Sequence, residues 1–129
     1  MDDGKTIYLT VPGNQAYGLV IRTALGGAAI LKDLDVDTMD DLRMAADESC
    51  DCLLHQGVEV ETLTVAIREE GAYLQVSIEA ALKGDGSGNP EEAALMQAVL
   101  ETLSPKVRLT TTPGGCIRRI DLAVPRARA

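Results

Sequence analysis

The feature that most constrains this chain is a pair of alternating apolar runs, Thr62 to Glu69 (TLTVAIRE) and Tyr73 to Ala80 (YLQVSIEA), separated only by a short Glu70-Gly71 segment. Strict alternation puts every second side chain on one face of a strand, and a Gly-containing gap of that length is a hairpin turn. An antiparallel hairpin with one apolar face must bury that face against something, so the rest of the chain is read for what covers it.

Lys5 to Val11 also alternates and ends at Pro12-Gly13-Asn14, so it is a strand closed by a turn. Gln15 to Leu31 carries apolar residues at Tyr17, Val20, Ile21, Ala24, Ala28 and Leu31, which is helical spacing. Gly26-Gly27 weakens that helix by about 1 kcal/mol per glycine and marks a point of close packing. After a polar connection, Thr38 with Asp41 three residues on opens a second helix as a variant capping box. Leu42, Ala46, Ser49, Cys50 and Leu53 share one side of it, and Gly57 stands where a left-handed cap is expected. Lys83 to Pro90 (KGDGSGNP) has loop composition and is expected to be flexible. A third helix follows from Pro90 or Glu91 to about Leu103. Lys106 to Thr112 and Cys116 to Val124, joined by Pro113-Gly114-Gly115, make a last hairpin. Pro125 to Ala129 is expected to fray.

The order β-α-α-β-β-α-β-β predicts an α+β fold. It is a two-layer α/β sandwich with a mixed, mostly antiparallel five-stranded sheet covered on one face by three helices. At 129 residues, residues 1–129 are expected to form a single domain, with a core over about residues 5–124.

Charge narrows the partners. A net charge of −8 argues against nucleic acid and anionic membranes, both of which need a basic footprint. The acidic start Met1-Asp2-Asp3-Gly4 does not read as a signal peptide, and no apolar run is of membrane-spanning length. Three cysteines without a regular framework do not read as a disulfide scaffold, so a cytoplasmic protein is expected. Cys50, Cys52 and His55 fall short of a structural zinc set, which wants four ligands, and no metal site is expected. A Cys–His hydrolase built from Cys52 and His55 lacks a third, orienting group. Arg118 and Arg119 are consecutive on a strand and are expected to face opposite ways.

The stretch from Leu34 to Gly57, with Glu48, Cys52 and His55-Gln56-Gly57, resembles the second helix of the bacterial anti-sigma-factor serine-kinase family, which reads roughly E-x-x-x-N-x-x-x-H-G. The element order is similar to the ATPase domain that this family shares with histidine kinases and gyrase B. The resemblance implies a histidine-kinase-like ATPase fold. It also implies Glu48 as the position of a catalytic base and Cys52, Ile78 and Glu79 as positions of a nucleotide site.

Three departures from the family pattern stand out. Cys52 replaces the Asn that offers oxygen to Mg²⁺, and a thiol is a soft ligand. The family's Asp-x-Gly-x-Gly falls on Ile78-Glu79-Ala80-Ala81-Leu82, without the Asp or either Gly. The phosphate-binding turn before the third helix reads Asn89-Pro90-Glu91-Glu92, with no N–H on Pro90 and two carboxylates. The expectation is therefore a degenerate member, an anti-sigma-like regulatory protein that binds a sigma factor or an anti-anti-sigma protein, with no cofactor. The resemblance also implies homodimerisation and partner contact near the first helix. The alternative is an active serine protein kinase that uses ATP and Mg²⁺ through a divergent site with Glu48 as base. A third reading is a domain of other role that inherits the fold.

Overall fold

The computed structural model describes residues 5–127. The central hairpin is formed by β2 (Val60–Glu70) and β3 (Tyr73–Leu82), paired antiparallel with Val65 opposite Ile78 and Ile67 opposite Val76. Its turn is Gly71-Ala72, one residue beyond the expected position, and Gly71 takes a positive φ of 60° that the missing Cβ permits. Leu63, Val65, Ile67, Leu74, Val76, Ile78 and Ala80 all point to one side and are buried, as alternation requires.

Outside this hairpin, β1 (Ile7–Pro12) pairs with β2, while β5 (Ile117–Pro125) pairs with β3 and β4 (Lys106–Thr111) pairs with β5. The strand order is β1-β2-β3-β5-β4. Every one of these pairs is antiparallel, so the expected mixed sheet is antiparallel throughout.

The helices α1 (Gly18–Leu31), α2 (Val36–Leu54) and α3 (Pro90–Glu101) cover one face of the sheet. A short 3₁₀ turn over Gln15–Tyr17, capped by Asn14, leads into α1. Leu42, Ala45, Ala46 and Leu53 of α2 enter the common core with Ile120, Leu122 and Val124 of β5. The fold class is therefore the expected α+β sandwich.

Several local expectations are corrected. The cap of α2 is Asp35, not Thr38: the Asp35 carboxylate accepts from Thr38 N–H at 2.8 Å, which starts the helix earlier. In α1 the buried residues are Ile21, Leu25, Ala28 and Ala29, whereas Tyr17, Val20 and Leu31 of the expected stripe are exposed. The helix is apolar on nearly every side, so periodicity alone does not select the face that packs. Gly26 and Gly27 are not points of close packing, because a Cβ on either would meet nothing within 4 Å.

The chain end is anchored through Ala127 and does not fray there. Arg126 N–H donates to Ala72 O and Ala127 N–H to Asp33 O, each at 2.8 Å. Glu69 receives Lys32 at 3.1 Å and Arg126 at 3.7 Å. Arg128 and Ala129, like the acidic start Met1 to Gly4, lie outside the described residues.

Candidate functional site

The last two turns of α2 and the first turns of α3 stand apart at one end of the sandwich and enclose a cavity of about 390 Å³. Glu48, Asp51, Cys52 and His55 line it from α2, and Glu92, Leu95, Met96 and Val99 line it from α3. Gly88, Asn89, Gly115 and Ile117 close its end. Glu48 and Cys52 meet here because residues four apart stack on one flank of a helix.

The cavity has a carboxylate wall. Burial pushes the Cys52 thiol up to about 11, and the Asp51, Glu92 and Glu48 carboxylates add to the shift by disfavouring a second negative charge nearby. A thiol so shifted stays protonated at neutral pH and is a poor nucleophile. His55, the one basic residue on the wall, has Nδ1 2.8 Å from the Asp51 carbonyl oxygen and 3.1 Å from its carboxylate. Glu48 is exposed and makes no hydrogen bond or ion pair among the described residues. Among the described residues, no group of three His, Cys, Asp or Glu side chains is arranged to hold a metal ion.

The start of α3 is capped by its own chain. Asn89 accepts from Glu91 N–H at 2.9 Å, Pro90 offers no N–H, and Glu91 and Glu92 complement the positive end of the helix dipole. A triphosphate in this position would face the Glu91 and Glu92 carboxylates. The carboxylates of this wall disfavour an anionic phosphate group beside them.

Ile78 and Glu79 do not share this site with Cys52. Ile78 is fully buried between Val65 and Ile120 in register. Glu79, the next residue, points to the opposite face of the sheet and accepts from Arg118 Nη1 at 2.5 Å. Strand parity dictates this separation, since neighbours on a strand face opposite ways.

Asp85-Gly86-Ser87-Gly88, expected as a flexible loop, is packed in place. Gly88 N–H donates to Gly114 O at 2.9 Å, and Thr112 Oγ1 donates to Asp85 O at 2.6 Å. A Cβ on Gly88 would overlap the Gly115 carbonyl, and one on Gly114 would overlap the Gly86 carbonyl. These glycines serve a backbone-on-backbone contact between two loops, which their composition does not distinguish from flexibility.

A second surface lies on α1. Its outward side carries Leu19, Val20, Ile30 and Leu31, with Ile30 and Leu31 70% and 69% exposed. The only charge in the helix is Arg22, which turns toward Asp47 of α2 at 3.7 Å. Helical spacing groups Val20 and Leu31 with Ile21 and Ala28, and does not show that Val20 and Leu31 are the exposed members. The signal available was the near absence of charge around the whole helix.

The fold has a solved counterpart. The chain is similar to the crystal structure of the RsbU and RsbW domains of Rv1364c from Mycobacterium tuberculosis, with a TM-score of 0.75 and 16% sequence identity. The similarity covers 95% of this chain and 32% of that one, so the chain spans about a third of its length. At that identity the likeness is one of fold. No family model matches the chain, and no curated protein matches it. Among the described residues, no helix is long and apolar enough to cross a membrane.

Proposed function

We propose that this chain is an anti-sigma-like regulatory protein of the cytoplasm that binds a protein partner, a sigma factor or an anti-anti-sigma protein, and performs no phosphoryl transfer. The observation that carries the reading is the exposed, uncharged outer side of α1, with Leu19, Val20, Ile30 and Leu31 in water. Large apolar side chains left exposed on one side of a helix support the docking of another protein there. It lies on the helix that the family resemblance implies for partner contact and for homodimerisation, and the fold likeness to the RsbU–RsbW structure agrees with that resemblance.

The absence of phosphoryl transfer is supported by the chemistry of the cavity between α2 and α3. Phosphoryl transfer rests on a held metal and on donors aimed at the phosphates. Here the wall presents Glu48, Asp51 and Glu92, with a protonated thiol at Cys52.

Calorimetric titration of the purified chain with ATP and Mg²⁺ tests the reading. No heat of binding at millimolar ATP is expected. Micromolar affinity would overturn it and restore the kinase with Glu48 as base, in which case Glu48→Gln would abolish phosphorylation of a partner. Gly27→Glu, which places a charge on the outer side of α1, is expected to disrupt the dimer or the partner complex. A dimer that Gly27→Glu leaves intact by light scattering would rule out α1 as its interface.

A further inference from the structure

The face of the sheet turned away from the helices differs in charge from the rest of the molecule. The chain carries −8 overall, yet five of its twelve Lys and Arg side chains, Arg68, Lys106, Arg108, Arg118 and Arg119, line one depression of about 470 Å³ on this face, with Asp121 as the single carboxylate in that lining. A neighbouring depression of about 280 Å³ shares Arg68, Gln75, Arg119 and Asp121 with it, so the two are continuous across β2, β3 and β5.

A β-bulge contributes to this grouping. The β4–β5 register shifts between Thr110, opposite Arg119, and Thr111, opposite Ile117, which leaves Arg118 as the extra residue. The expected opposition of Arg118 and Arg119 is thereby lost: both reach the open face, Arg118 to Glu79 and Arg119 to Asp121. Bulges commonly re-aim a side chain in this way.

The charge on this face is cancelled only in part from within: Arg68 pairs with Glu70, Arg118 with Glu79 and Arg119 with Asp121, which leaves Arg108 and Lys106. Arg119 engages both oxygens of Asp121 at 3.1 Å through Nε and reaches one of them at 2.9 Å through Nη2. Arg108, opposite Asp121 in register, makes no ion pair among the described residues. Lys106 lies over the Tyr73 ring, 4.1 Å from its centroid, and makes no ion pair among the described residues. Charge on an edge strand such as β4 deters pairing with other chains. That role does not require two further arginines, on the neighbouring strand, turned to the same side.

From this arrangement we infer that the open face of the sheet docks an acidic segment of a partner protein, with carboxylates of that segment meeting Arg108, Lys106 and the outer edges of Arg118 and Arg119. Arginine forks match carboxylates in a bidentate way. A protein segment fits better than a nucleic acid for two reasons. Glu79 and Asp121 are interleaved with the arginines and would repel an unbroken phosphate backbone. The strongly negative remainder of the chain would repel a long polyanion extending beyond the face. The inference is independent of the α1 surface, which lies in the helical layer on the other side.

The test is fluorescence anisotropy of the full chain with a labelled peptide of alternating Glu and Ser. Binding is expected at about 50 mM salt and should weaken about tenfold or more by about 300 mM, because the contacts are exposed and screened. Arg108→Glu breaks no ion pair and is expected to weaken binding at least tenfold, by the reversal of an unneutralised charge, with an unchanged circular dichroism spectrum. If that variant fails to fold, Arg108→Gln, which only removes the charge, replaces it with a smaller loss expected. Gly27→Glu on α1 should bind the peptide like the wild type. Absence of peptide binding at low salt, or binding that Arg108→Glu leaves undiminished, overturns the inference. An oligouridylate that binds more tightly than the peptide also overturns it, in favour of a nucleic-acid face. Self-association dispersed by Arg108→Glu without peptide binding assigns the face to a second copy and equally overturns it.

Discussion

The Gln56 carboxamide closes both hydrogen bonds of the Ile117 main chain: Nε2 donates to Ile117 O and Ile117 N–H donates to Gln56 Oε1, each at 2.6 Å. The two residues are 61 positions apart. Gln56 thus acts as a neighbouring strand would, holding the start of β5 to the end of α2 and fixing one end of the carboxylate-walled cavity. Leaving two backbone groups of a buried residue unsatisfied is costly, so Gln56→Ala is expected to destabilise the fold by about 1–3 kcal/mol in urea denaturation. Gln56→Glu keeps the size but loses the donor, and is expected to fall on the same side.

Two glycine substitutions should act with opposite sign. Gly88→Ala drives a methyl group into the Gly115 carbonyl and is expected to cost about 1–3 kcal/mol, as overpacking does. Gly27→Ala meets nothing within 4 Å on an exposed helix position and is expected to gain up to about 1 kcal/mol from helix propensity. Thermal denaturation of the two variants beside the wild type checks both directions.

Cys50 and Cys52 should be slow to react at neutral pH. Burial and nearby carboxylates push both thiols from 9.0 up to about 11, so the thiolate is scarce. An aromatic disulfide reagent is expected to label the native chain far more slowly than the unfolded chain. The folded pKa values are the higher ones, so this contribution to stability is full below pH 9.0 and is lost as pH rises toward about 11. Cys50→Ala combined with Cys52→Ala should flatten that part of the stability profile.

Asp35 should matter most above the acid range. The backbone N–H of Thr38, followed by its side chain, holds the Asp35 carboxyl below 3.8. A depressed folded pKa means stability present above the unfolded value and lost as pH falls through the folded one. Asp35→Ala is expected to lower the melting temperature at neutral pH, with the gap to wild type closing in acid. Asp35→Asn, an equally good cap, should retain most of the neutral-pH stability.

The strands, the hairpins and the three helices are encoded in short stretches of the chain. Alternation at Leu63, Val65 and Ile67 against Leu74, Val76 and Ile78, with a glycine turn between, depends only on residues close along the chain. The pairing of Glu48 with Cys52 on one cavity wall was legible for the same reason, since helical stacking is local. The same local rule puts Ile78 and Glu79 on opposite faces of the sheet, which divides the two expected nucleotide positions.

Other features depend on partners distant along the chain. Which side of α1 is buried was chosen by the surface it packs against, because Ile21 and Val20 are equally apolar and only one could face inward. The bulge at Arg118 follows from how β4 and β5 register, and no property of the Arg118-Arg119 pair alone predicts it. The glycines of 84–88 looked like slack until the 113–115 turn was placed against them. Periodicity and turn chemistry are encoded in short windows of sequence. Face selection, register shifts and backbone-to-backbone approach are set by contacts between residues dozens of positions apart.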